Sequence, residues 1–203
     1  MSNGLEPVRI LLFSASLRNN SLNTKLATLA ASIIEKHGGI VDFATMSEFD
    51  TPSFNQDIEG EGDFPAGAVE LKKRLLENDA FIIASPDYNG SVSGVLKNTI
   101  DWVSRFRPHP FNGRHAMLLS ASPSESGGNP GLWALRMPLE KLGTHVFPAM
   151  FSLAKAHLGF DSEGNISDEA LSKRLENNLV SFLESVEATK HYKTLKGLTE
   201  EYA

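Results

Sequence analysis

The chain has 203 residues, with 19 Lys plus Arg against 25 Asp plus Glu for a formal net charge of −6. Its length fits one domain of about 100–200 residues, and 41% hydrophobic with 22% charged residues exclude a disordered or fibrous chain. The acidic balance argues against general nucleic-acid binding, which needs a basic face. The absence of cysteine excludes disulfides, zinc–thiolate sites, Cys-ligated clusters and thiol catalysis.

Residues 8–13 are the first expected strand, short and almost wholly apolar. Leu22, Leu26, Leu29 and Ile33 then recur at helical spacing, and Gly38-Gly39 stops that helix. Residues 40–44 are a second strand, followed over 47–65 by a loop rich in Pro, Gly and acids. Ala68, Leu71 and Leu75 mark a short helix, 80–84 a third strand, and Leu96, Ile100 and Val103 the helix after it. The fourth strand is 115–119, and its helix runs through Leu132, Leu135, Leu139 and Leu142, with Pro138 expected to kink it. Residues 145–147 form a short fifth strand, extendable toward Phe151. The last helix shows Leu171, Leu175, Leu179, Phe182 and Val186. The polar stretch 188–203, with Lys190, Lys193 and Lys196, reads as a solvated tail or an arm packed on a partner subunit. No run approaches the roughly 18 apolar residues of a membrane span. Residues 1–7 lack the basic and apolar regions of a secretory signal, so a cytoplasmic protein without a membrane partner is expected.

Strands without in–out alternation are buried on both faces, and the intervening helices supply the cover. The reading is therefore one α/β domain over residues 1–187: a doubly wound, five-stranded parallel sheet in the flavodoxin-like order 2-1-3-4-5. In such sheets the ligand sits beyond the carboxyl ends of the strands near the switch point, at the loops after strands one, three and four.

The first of these loops, 14–23, gathers Ser16, Arg18, Asn19, Asn20, Ser21 and Asn23 at a helix N-terminus whose free N–H groups suit an anion. Capping needs only one such residue, so the excess points to phosphate, with Arg18 as a guanidinium fork. Neither a P-loop nor a G-x-G-x-x-G fingerprint is present. The second loop, 85–94, holds Pro86, Asp87, Tyr88 and then Asn89-Gly90, a pair that tolerates positive φ. It can present a rigid backbone edge and an aromatic face to a planar heterocycle. The third loop, 120–128, combines Ser122 with Gly127-Gly128, which leaves room for a flat ligand near the backbone. In the helix after the second loop, Lys97 and Asp101 read as an i,i+4 pair on a solvated face. The six His residues show no metal-ligand spacing.

These loops carry a family resemblance. Residues 15–18 with 21–23, then 86–89 with 94–102, then Ser122-Pro123 with Gly127-Gly128 are similar to the NADPH-dependent FMN reductases of flavodoxin-like fold. That group includes bacterial quinone, chromate and azo-dye reductases. The resemblance runs from about residue 8 to 186 and is most specific over 86–102. It implies that Ser16, Arg18, Ser21 and Asn23, with the Leu22 backbone, hold the FMN phosphate. It places Pro86, Asp87, Tyr88, Asn89 and Gly90 along the isoalloxazine and makes Ser122 a further flavin contact. Three positions depart from the family: Ala15 for its usual Gly, Asp87 for Glu and Ser93 for Pro.

What the resemblance implies chemically is hydride transfer from NADPH or NADH through FMN to a quinone or another small acceptor, in ping-pong fashion. No catalytic side chain is required. It also implies a homodimer or tetramer. Trp102, about 100° per residue off the Leu96–Ile100–Val103 stripe, reads as an interface anchor or as packing under 106–111. The rival readings are a flavodoxin-type electron carrier and a nucleotide-binding signal module.

Overall fold

The computed structural model describes residues 6–59 and 64–196. In chain order these form β1 (Arg9–Ser14), α1 (Leu22–Lys36), β2 (Ile40–Thr45), a 3₁₀ turn (Met46–Phe49), α2 (Gln56–Glu59), α3 (Ala66–Glu77) and β3 (Ala80–Ala84). Then come β4 (Asp87–Tyr88), β5 (Ser91–Val92), α4 (Gly94–Val103), β6 (His115–Ala121), α5 (Asn129–Lys141), β7 (His145–Val146), β8 (Phe151–Leu153) and α6 (Glu169–Lys196).

The period-2 geometry of a strand splits the apolar residues into two cores. Leu11, Phe13, Phe81, Ile83, Ala116 and Leu118 join the cluster that includes Leu71 of α3, Leu96 and Ile100 of α4, and Leu132 and Leu135 of α5. Ile10, Leu12, Ile82, Met117 and Leu119 join Leu26 and Ile34 of α1 with Leu175 and Phe182 of α6. Both faces are thus covered, as expected for parallel strands, and each fully buried Leu or Ile contributes about 1.5–3 kcal/mol.

The order is β2-β1-β3-β6-β7, with each adjacent pair parallel. This is the expected order 2-1-3-4-5, with β6 as the fourth strand. The fifth is broken: β7 pairs with the start of β6 and β8 with its end. Pro138 lies inside α5 without ending it.

Two expectations are corrected. First, the boundary at 187/188 falls inside α6, which runs unbroken to Lys196. No Gly or Pro interrupts 188–196, and Lys190 Nζ ties this stretch back to Asp79 Oδ2 (3.0 Å) and Pro7 O (3.3 Å). Residues 197–203 of the expected tail lie outside the described residues. Second, Trp102 is fully buried within its own chain. Its indole N–H donates to Pro52 O at 2.8 Å, and its ring packs edge-on to Phe54 at 5.0 Å. Segment 52–54 covers it, and Phe106 and Phe111 belong to the same buried cluster. Asn98 holds that segment by accepting from Phe54 N (2.8 Å) and donating to Pro52 O (2.9 Å). The Lys97–Asp101 pair is present at 2.7 Å.

Candidate functional site

The three expected loops meet at the carboxyl end of the sheet and are hydrogen-bonded to one another. Ser93 Oγ, from the second loop, donates to Ala15 O of the first at 3.3 Å. Two of the three departures from the family therefore touch each other. A serine at 93 has a hydroxyl to give where proline has none, and Ala15 is buried with its Cβ accommodated. Asn23 ties the first loop to the start of the third: its Nδ2 donates to Ala121 O (3.1 Å) and its Oδ1 accepts from Ala121 N (2.9 Å). Asp87 ties the second loop to α5 by accepting from Gly131 N at 3.1 Å and, through its other oxygen, from Gly90 N at 2.8 Å.

In the first loop Ser21 is the N-cap of α1. Its Oγ accepts from Asn23 N (3.2 Å) and Thr24 N (3.5 Å). Ser16 Oγ accepts from Arg18 N at 3.3 Å. Asn20 adopts φ +54°, which turns the chain into the cap. Leu22 N–H, the first of the helix, has no partner among the described residues, nor does the exposed Arg18 guanidinium. Ser14, Ser16, Arg18 and Ser21 line a cleft of about 760 Å³ that continues past Lys25 to Phe43–Ser47 and residues 160–165. Asp161 shapes its far wall by accepting from Glu163 N and Asn165 N, both at 2.9 Å.

The second loop is a β-hairpin. Asp87 pairs with Val92 and Tyr88 with Ser91, around Asn89 (φ +57°) and Gly90 (φ +73°). Positive φ at both central residues is the type I′ condition that Asn-Gly satisfies. Pro86 is buried beneath the hairpin, while Tyr88 is 48% exposed at its edge. In the third loop Ser122 Oγ accepts from Ser124 N (3.2 Å). The pair Gly127-Gly128 is closely approached by the chain itself. A Cβ on Gly128 would lie 2.1 Å from Ser120 Oγ, and one on Gly127 2.7 Å from Ala154 N. The approach these glycines permit is that of the chain's own backbone and Ser120.

The expected residues thus divide. Ser16, Arg18 and the Leu22 N–H stand together at the start of α1, with the Ser21 cap at their base. Asn23 and Asp87 are engaged as braces between loops. Pro86, Tyr88, Asn89, Gly90 and Ser122 lie on the adjoining hairpin and third loop, outside the 760 Å³ cleft. The sequence reading gave no role to Ser14 or to 160–165. Ser14 lines the cleft from the end of β1, and its buried Oγ has no partner among the described residues; the Oγ of Ser120, beneath the third loop and outside the cleft, has none either. A buried hydroxyl left unpaired costs about 1–3 kcal/mol, so these orphans mark the loops as a place built for a polar ligand. Phosphate fits the donors present: hydroxyls, a free helical N–H and a guanidinium.

A flavodoxin-like α/β domain whose switch-point loops carry donors that fit a phosphate is the class that fold and loops define. The comparisons with known proteins narrow it. Residues 8–158 match the family of NADPH-dependent FMN reductases. A probable NADPH:quinone oxidoreductase of Oryza sativa is 35% identical over 179 residues, 86% of this chain and 86% of that one. The solved flavoenzyme NAD(P)H:(acceptor) oxidoreductase FerB of Paracoccus denitrificans covers 89% of this chain and 98% of its own, at 27% identity and TM-score 0.78. An archaeal flavodoxin, 9% identical with TM-score 0.57 over 89% of this chain and 99% of its own, shares the fold alone. The chain belongs to the NADPH-dependent FMN reductase family. It is an NAD(P)H-dependent flavoenzyme whose cofactor is FMN, and the electron-carrier reading is not favoured.

Proposed function

We propose that this chain is a quinone reductase that takes its hydride from NADPH, works in the cytoplasm as a homodimer or tetramer, and holds FMN at the three joined loops. The single observation that carries the reading is that joining: Ser93 to Ala15, Asn23 to Ala121 and Asp87 to Gly131. FMN, when bound, supplies the hydride chemistry. The protein's part is to position it. Ser16, Arg18 and the Leu22 N–H bind the phosphate, Ser21 keeps the helix end that presents that N–H, and Asn23 and Asp87 hold the loops in register. The backbone of Pro86, Asp87, Asn89 and Gly90, the Tyr88 ring and Ser122 border the isoalloxazine. No helix of the described residues is long and apolar enough to cross a membrane. The quinone acceptor is supported by the names of the relatives.

The test is an anaerobic spectrum of the FMN-loaded protein before and after NADPH, then after a quinone. The expected result is rapid bleaching of the flavin band and its full return. A flavin that neither NADPH nor NADH bleaches would overturn the reading in favour of a carrier or signal module.

Arg18→Ala is expected to weaken FMN binding by roughly ten- to a hundredfold, the loss of one charge-assisted contact. The melting temperature of the apoprotein should hardly move, because Arg18 is exposed and makes no described side-chain contact. Flavin fluorescence titration and a thermal melt check both halves.

A further inference from the structure

We propose that Ser14 is a phosphate-binding residue whose hydroxyl donates to the terminal phosphate of the flavin mononucleotide beneath the first turn of α1. The inference rests on the reading above for what carries that phosphate. Ser14 is the last residue of β1 and is 3% exposed. Along β1, Ile10 and Leu12 face the core shared by α1 and α6, and by the same alternation Ser14 is the next residue on that side. Its hydroxyl has no partner, and it lines the cleft together with Ser16 and Arg18.

The two buried polar side chains at the start of α1 are already engaged. Ser21 Oγ caps two backbone N–H groups, and both ends of the Asn23 amide are bonded to Ala121. What remains to meet an anion is the Leu22 N–H, the Arg18 guanidinium, the exposed Asn19 and Asn20 amides, and two hydroxyls, Ser16 and Ser14; of these side chains Ser14 alone is buried. A methyl group at position 14 would suit a purely structural role better, since it would bury no unpaired hydrogen-bonding group. Ser14 therefore donates to the phosphate from within the sheet, opposite in kind to the solvated Arg18. Its rigid strand position makes it a reader of the phosphate rather than of the ring.

The experiment is Ser14→Ala, read by flavin fluorescence titration of the apoprotein with FMN and with riboflavin, and by apoprotein melting with and without inorganic phosphate. The FMN Kd is expected to rise about tenfold, while the riboflavin Kd stays within about twofold. The apoprotein melting temperature is expected to rise by about 1–3 °C, because an unpaired buried hydroxyl has been removed. The upward shift that phosphate gives the wild type should shrink in the variant. Equal shifts for FMN and riboflavin, no shift for either, or a fall in apoprotein stability would each overturn the assignment. If the wild type binds neither flavin, the flavin reading fails, and the phosphate-dependent melt alone decides Ser14.

Discussion

Trp102→Ala is expected to destabilise the fold by about 3–5 kcal/mol, the range for emptying a buried large aromatic site. That is a large share of a total stability of about 5–15 kcal/mol. Trp102 heads the fully buried side chains by volume, and its loss removes the edge contact with Phe54. The hydrogen-bond loss is the smaller part, because Pro52 O still accepts from Asn98 Nδ2. Segment 52–54 should loosen, which hydrogen exchange would register as lost protection there. Urea denaturation gives the main number. Sedimentation gives the control: the wild type is expected above 22.1 kDa, and the variant should keep that state while folded. A variant of unchanged stability that falls apart into single chains would return Trp102 to the role of subunit anchor.

Asn23→Ala should cost about 2–5 kcal/mol, since it strands both the N–H and the carbonyl of a buried residue at about 1–3 kcal/mol each. The two bonds, 3.1 and 2.9 Å long, join residues 98 positions apart and fix α1 against the end of β6. The apoprotein should melt several degrees lower. FMN and riboflavin should both bind more weakly and by a similar factor, because the loops lose their register while the phosphate donors remain. Asn23→Asp keeps the acceptor for Ala121 N but loses the donor to Ala121 O, so it should fall between the two. A loss confined to FMN would show instead that Asn23 contacts the phosphate.

The sheet was legible because its strands are apolar on both faces, and that pattern admits few arrangements. Asn89-Gly90 was legible as a positive-φ pair, and both residues adopt it, since the chemistry of such a turn is local. What failed were inferences that needed a distant partner. The amide of Asn23 looks the same in sequence whether it faces a phosphate or a backbone 98 residues on. Trp102 does lie off the core stripe of α4, but the segment that returns from the other side of the chain to cover it leaves no local mark. Gly127 and Gly128 signalled close approach, and the chain's own backbone and Ser120 make one. The polarity of 188–196 hid a helix, because helix persistence depends on the absence of breakers and on one tether, Lys190 to Asp79, more than on an apolar stripe. Ser14 was passed over because a single serine closing a strand carries no pattern.

The ends of the sheet limit how two copies of this protein can meet. A bare outer strand offers unpaired backbone groups to any neighbour. On one side β2 is guarded by Arg74, whose guanidinium reaches Asp42 Oδ1 (3.1 Å), Glu70 Oε1 (2.9 Å), Glu48 and the Phe43 carbonyl (3.4 Å). Burial alone would lower the Arg74 pKa, yet these carboxylates hold it above its ordinary value, so the guard is charged at neutral pH. On the other side β7 and β8 have two and three residues, with Pro148 in the gap. Neither margin is a template for continuing the sheet into a second molecule. The helices differ from these margins: on α5, Trp133 and Met137, one turn apart, stand 59% and 74% exposed.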